Sequence, residues 1–102
     1  MADRLSLQNE FEIILDSRNV YFQPPESLKL KYPCIVYALS GINKQNANNV
    51  MYKSINEYEV TVIDPDPESR IAHDILAYFP MCRFDRRFVS ENLNHSILTL
   101  YY

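Results

Sequence analysis

The sequence predicts an α+β domain, a mostly antiparallel sheet with two flanking helices in the order α-β-β-β-α-β-β. Three observations point there. From Glu57 to Ile63 the side chains alternate, with Tyr58, Val60 and Val62 on one side and Glu57, Glu59 and Thr61 on the other. A period of two marks a strand with one buried and one wet face. Directly after it, Asp64-Pro65-Asp66-Pro67-Glu68 stops the strand, because proline has no N–H for the ladder. Asp66 before Pro67 then reads as a helix N-cap and first helical residue. Finally, Leu7, Phe11, Ile14 and Leu15 recur at helical spacing and form one apolar stripe.

The elements follow in order. A helix is expected over 3–16, with Arg4, Gln8, Glu12 and Asp16 opposite the apolar stripe. Val20 to Gln23 alternates briefly before Pro24-Pro25, as a short edge strand would. Glu26 to Lys31 is a polar connection, and Tyr32-Pro33 restarts the chain in extended geometry. Cys34 to Leu39 is almost entirely apolar, which predicts a central strand buried on both faces. Ser40-Gly41 is expected to break it, with Gly41, the sole glycine, holding a backbone shape closed to other residues. Ile42 to Asn49 holds four asparagines and a glutamine, the composition of a long loop.

The long strand is expected over 50–63, with a bulge near Ser54–Asn56. A second helix is placed over 68–79, with Ile71, Ile75, Leu76 and Phe79 inward, and Pro80 stops it. Met81 to Val89 is a strand with Cys82 and Phe84 facing in, Phe88 a further inward candidate, and Arg83 facing out. Asp85-Arg86-Arg87 breaks its alternation and suggests a bulge or an exposed end. Ser90 to Asn94 is a turn, and His95 to Tyr102 the last strand.

At 102 residues one domain over 1–102 is expected, with no repeats. A chain of this size buries roughly 60–70% of its unfolded surface, so self-association would add useful burial. The formal charge of −3 and pI near 5.3 disfavour a dedicated nucleic-acid binder. Met1-Ala2-Asp3-Arg4 has no apolar segment of a signal peptide, and no apolar run approaches the ~20 residues of a membrane span. The expected setting is a cytosol, at least until the protein joins something larger.

The candidate chemistry is sparse. Asp64, Asp66 and Glu68 have the donors for a divalent cation, but a calcium loop needs a glycine and a distal glutamate, and the prolines preclude it. Capping is the expected role. His73 and His95 match no zinc spacing with Cys34 and Cys82. The cysteines are expected to be buried thiols, with a disulfide between them left open. No GxSxG elbow is present, and one glycine cannot build a phosphate loop. No enzyme, metal or cofactor is expected. Arg83, Arg86 and Arg87 read as a solvated edge, as partners for the acidic face at Glu57 and Glu59 on another subunit, or as a contact for passing DNA. Eight tyrosines, including Tyr101 and Tyr102, suit an interface or the edge of a core.

An ordered set of segments resembles a family. Phe22-Gln23-Pro24-Pro25-Glu26-Ser27, Lys31-Tyr32-Pro33-Cys34-Ile35-Val36-Tyr37, Tyr58 to Pro67, Phe84-Asp85-Arg86 and Glu91-Asn92-Leu93-Asn94-His95 match, in order and spacing, the tail terminator (tail completion) proteins of long-tailed bacteriophages of Gram-positive hosts. The likeness runs from about Ser17 to Tyr102. No one motif is chemically diagnostic, and specificity lies in the ordered set. Relatives are more basic where this chain has Lys53-Ser54-Ile55-Asn56, which argues against attraction between a lumen and DNA here.

The resemblance implies a structural virion protein. It implies a homo-oligomeric ring, expected to be a hexamer, at the head-proximal end of the tail tube. The ring stops tube polymerisation and joins the tube to head-completion proteins of the connector. Genomic DNA passes its lumen without sequence-specific binding, and no membrane is involved. The interface candidates are Asn43, Lys44, Gln45 and Asn46, as a loop that orders on contact, together with Glu57, Glu59, Arg83, Arg86 and Arg87. The alternatives are a connector adaptor or stopper of the same machine and, from another class, a small phage regulatory or nucleic-acid-binding module.

Overall fold

The computed structural model describes residues 4–47 and 51–102. The elements are α1 (Arg4–Leu15), β1 (Val20–Phe22), β2 (Cys34–Ala47), β3 (Met51–Asp64), α2 (Ile71–Tyr78), β4 (Cys82–Ser90) and β5 (Leu93–Tyr101). One five-stranded sheet has the order β1-β2-β3-β5-β4. β1 pairs parallel with β2, and every other pair is antiparallel. The α+β class and the order of elements are as the sequence predicts.

Both helices cover the same sheet face. Leu7 and Phe11 of α1 and Ile75 of α2 are fully buried against Ile35, Tyr37, Val60, Leu98 and Leu100. Aromatic rings thread this layer. Phe11 meets Tyr37 at 5.2 Å and Phe79 at 5.6 Å, and Phe79 meets Tyr102 at 6.0 Å, all edge-on. Edge-on pairs add about 0.5–1.5 kcal/mol each beyond area burial.

Helix α1 departs from its predicted polarity. Arg4 and Gln8 point toward the sheet, because Tyr37 carries a hydroxyl into the core that needs partners. That hydroxyl donates to Gln8 Oε1 at 2.5 Å and accepts from Arg4 Nη1 at 3.2 Å. Gln8 Nε2 also donates to the Val20 carbonyl at 2.9 Å. The helix ends in a Schellman arrangement. Asp16 has φ 57°, its N–H donates to Ile13 O, and the Ser17 N–H donates to Glu12 O.

Glu10 closes the other end of the layer, accepting from the hydroxyls of Tyr78 at 2.9 Å and Tyr102 at 2.6 Å. Of the two terminal tyrosines, Tyr102 therefore belongs to the edge of the core.

β2 and β3 form a hairpin longer than the sheet. Tyr101 pairs with Glu57, and Asn56 and Tyr102 exchange backbone hydrogen bonds. Beyond them Ile42–Ala47 pairs with Met51–Asn56 alone. This two-stranded arm adds about 20 Å and makes the molecule 50 Å long.

The arm corrects the loop expected over 42–49. Residues 42–47 stay in register with β3, while 48 and 49 lie outside the described residues. Asparagine composition suggests a loop only where no partner strand claims the backbone, and here one does. Nor does Ser40-Gly41 break the strand. Ser40 is an extra residue between the Leu39–Tyr58 and Gly41–Glu57 pairs, so the bulge lies in β2 and not at Ser54–Asn56. Gly41 does not have positive φ, and a Cβ there would meet Glu57 at an ordinary 3.7 Å.

The second helix starts later than expected. Asp66 Oδ1 accepts from the Glu68 N–H at 2.9 Å, and Asp64 Oδ1 from the Asp66 N–H at 2.8 Å. These are successive Asx turns, which spend both carboxylates locally. Pro67 sits in a turn, and helix α2 begins at Ile71 with no side-chain cap. At the far end of the sheet, Glu91 and Asn92 alone connect Ser90 to Leu93. Both have positive φ, as a two-residue type I′ turn demands.

Candidate interface on the open sheet face

The second face of the sheet carries no helix. Register fixes its composition, since paired residues share a face and alternate residues exchange it. One rung reads Ala38, Glu59, Thr99, Arg83 across β2, β3, β5 and β4. The next reads Val36, Thr61, Ile97, Arg86, and a third Cys34, Ile63, His95, Phe88. Glu57 and Tyr101 form the rung on the other side. β2 thus contributes small apolar groups, β3 an acidic column, and β4 a basic one.

The β2 strand is therefore not buried on both faces as predicted. Ile35 and Tyr37 are buried under the helices, whereas Val36 and Ala38 are half-buried on the open side. A strand second from the edge looks central in sequence because both faces carry apolar residues.

The β4 bulge decides which arginines belong to this face. Asp85 is the extra residue between the Phe84–Leu98 and Arg86–Ile97 pairs. It shifts the alternation by one, so Arg83 and Arg86 share the open face and Arg87 goes to the other. There Arg87 Nη2 donates to the Pro67 carbonyl at 2.8 Å and to Asn94 Oδ1 at 3.0 Å. Asn94 Nδ2 in turn donates to the Asp64 carbonyl at 3.0 Å. Arg87 ties the 64–69 turn to the sheet, and it leaves the set of open-face charges.

Phe88 is corrected by the same shift. It does not face the core but stacks on His95 in the open face, 4.6 Å and 7° apart, with Arg86 over its ring at 5.7 Å. Phe84 does lie on the helix side but stays 46% exposed, because α2 ends short of it.

Asp85 turns its carboxylate onto the open face. Thr99 Oγ1 donates to Asp85 Oδ2 at 2.5 Å, and Arg83 Nε donates to Asp85 Oδ1 at 2.8 Å. The Thr99 hydrogen bond first, and Arg83 second, hold the Asp85 carboxyl below its ordinary range. Sequence reading missed Asp85 and Thr99 as members of this surface. The available signal was the broken alternation at Asp85, since a bulged polar residue needs a neighbour to bond.

The acidic column is uneven. Ser40, the bulge residue of β2, donates its hydroxyl to the Glu57 carbonyl at 3.0 Å and Oε2 at 3.2 Å. Glu57 is half-buried and held, while Glu59 is exposed. Asn43, Lys44, Gln45 and Asn46 lie on the arm, their backbones paired with Ile55, Ser54, Lys53 and Tyr52. They begin two residues past the Gly41–Glu57 pair and run on beyond the end of the sheet, away from β4 and its arginines.

The cysteines are separated. Cys34 lies in β2 on the open side and Cys82 in β4 on the helix side, on different rungs and separated laterally by three strand spacings, so they are more than about 14 Å apart. Both are free. Burial pushes each thiol up to about 11, with Asp64 adding to the effect at Cys34 and Asp85 at Cys82. Both are thus protonated and unreactive at neutral pH.

Among the described residues no group of three or more His, Cys, Asp or Glu could hold a metal ion. A cavity of about 20 Å³ lies under the 64–69 turn, beside Asp64, Ser69, Arg87 and Asn94. It has room for one water and not for a substrate. No described helix is long and apolar enough to cross a membrane.

Compared with protein-family models and with curated proteins, the chain matches none.

Proposed function

We propose that this chain is a structural virion protein of a long-tailed bacteriophage, a tail terminator that forms a ring, expected to be a hexamer, on the head-proximal end of the tail tube. The ordered segments from Phe22 to His95 support the phage reading. The geometry that supports assembly is the open sheet face, with its separate acidic and basic columns beside an unpaired β4 edge.

The cap works by shape and carries no catalytic step and no cofactor. One ring face complements the last ring of tube protein. The other face does not repeat that surface, so growth has no template to continue, and it receives the head-completion protein. Genomic DNA passes through the lumen without base readout. The two-stranded arm suits such a role. A lone hairpin is marginal in water, so residues 42–47 and 51–56 gain most from a surface to lie on. The proposed location is the host cytoplasm during assembly and then the virion.

The test is a phage lacking this protein, examined by negative-stain electron microscopy. Abnormally long tails support a terminator. Tails of normal length that fail to join heads would point to a connector stopper instead. Strongly salt-dependent DNA binding by the purified chain would favour the regulatory module.

A further inference from the structure

We propose that copies of this chain join head to tail through the open sheet face, the Arg83–Arg86 strip of one copy lying against the Glu57–Glu59 column of the next. This deepens the ring reading and rests on its claim that the chain self-associates. The occupant of the face is a second copy.

The charges are sorted by strand. Glu59 and Arg83 share a rung with Thr99 between them, two strand spacings or about 10 Å apart. Arg83 is bound to Asp85 of its own strand, and that is the one salt bridge among the described residues. The Glu59 side chain forms no hydrogen bond or ion pair there. Arg86 lies over the Phe88 ring and forms no salt bridge. The chain thus displays Glu59 and Arg86 on one surface, outside its internal Arg83–Asp85 pair.

Position in the sheet sets the order of contact. β4 is an edge strand, with its outer backbone unpaired, so it can be laid on another molecule. β3 is interior, so its acidic column is reachable only from above the face. The donor strip and the receiving column are different strips of one face, and a contact that uses one copy's strip and the next copy's column without the reciprocal pair is heterologous. Each copy keeps one of each to offer, and repetition closes into a ring when the rotation allows. Apolar groups border both charged strips. Phe88, 41% exposed, flanks Arg86, and Val36 and Ala38 flank the acidic column. Exposed ion pairs are weak and screened by salt, so the contact should tighten at low ionic strength.

Charge exchange tests this. Glu59→Arg and Arg86→Glu are prepared separately and together, and association is followed by sedimentation velocity at low ionic strength, alone and with tail-tube rings. Arg86→Glu is chosen because Arg86 holds no salt bridge that folding could miss. Arg83→Glu is the companion variant, checked for native circular dichroism. Each single variant should associate at least tenfold more weakly than wild type with unchanged melting. An equimolar mixture should regain association, since each interface then meets an opposite charge. Wild type that associates while the variants associate equally well overturns this inference and leaves the ring reading standing. Wild type that stays monomeric both alone and on tube rings overturns both. A mixture that stops at two chains overturns the head-to-tail order.

Discussion

The two faces of this sheet solve different problems with the same alternation. The helix-covered face satisfies itself: Tyr37 brings a hydroxyl inside and meets Gln8 and Arg4, and Glu10 ties two tyrosines across the helices. The open face leaves Glu59 without a partner and Phe88 partly exposed. Mutations on the first face should therefore act on folding, and mutations on the second on association. Variants can break that division or sharpen it.

The largest effect is expected at Phe11. It is fully buried and edges against both Tyr37 and Phe79. Phe11→Ala should cost about 3–5 kcal/mol, from lost transfer energy plus an uncollapsed cavity. Denaturant unfolding should show a lower midpoint at unchanged slope. Glu59→Ala, measured the same way, should stay within about 0.5 kcal/mol of wild type. Equal losses at both sites would erase the distinction between the faces.

Tyr37→Phe comes next. It keeps the ring and removes one hydroxyl, leaving Gln8 Oε1 without its donor near the core. A loss of about 1–2 kcal/mol is expected by the same measurement. Gln8→Leu in that background should not recover it, because the Val20 carbonyl then loses the Gln8 donor.

The open face has one electrostatic feature that acts on stability. Asp85 is held below its ordinary range in the folded chain, by Thr99 first and Arg83 second. A depressed folded pKa contributes stability above the unfolded value, about 3.9, and that stability is lost as pH falls through the folded value. Asp85→Asn should lower stability at pH 7 by less than about 1 kcal/mol, since the group is largely open to solvent. The difference between variant and wild type should vanish once the pH falls below the folded value. A difference that persists there would mean the bulge geometry, and not the charge, is what Asp85 supplies.

Much of the fold was legible because one-faced strands and an apolar helix stripe follow from spacing alone. Tyr58, Val60 and Val62 face the helices as their alternation requires. The failures lie where one local cue was outweighed, by a nonlocal partner strand at 43–46 and by a competing local turn at Asp66. Asn43 to Asn46 look like a loop, yet pair with residues 52–55. Asp66-Pro67 looks like a helix start, yet Asp66 bonds the Glu68 N–H in a turn. The candidate interface was half legible. Glu57, Glu59, Arg83 and Arg86 do share a face, but Arg87 does not, since the alternation breaks at Asp85 and sequence alone does not say which residue is the extra one.

The smallest expected effect lies at the end of α1, where the covered face is anchored. Asp16 adopts φ 57° to complete the Schellman turn, a conformation in which an L side chain crowds its own carbonyl. Glycine removes that crowding, but it also enlarges the freedom of the unfolded chain. The first term is worth about 1–2 kcal/mol and the second about 0.5–1, so Asp16→Gly should stabilise by a few tenths to about 1 kcal/mol. Asp16→Val should move the other way, because a β-branched side chain tolerates this region worst. Both changes belong in the unfolding midpoint and neither in sedimentation, because Asp16 lies on the helix side of the sheet. A shift in association at Asp16 without a shift in stability would show that copies of this chain also meet through the helices.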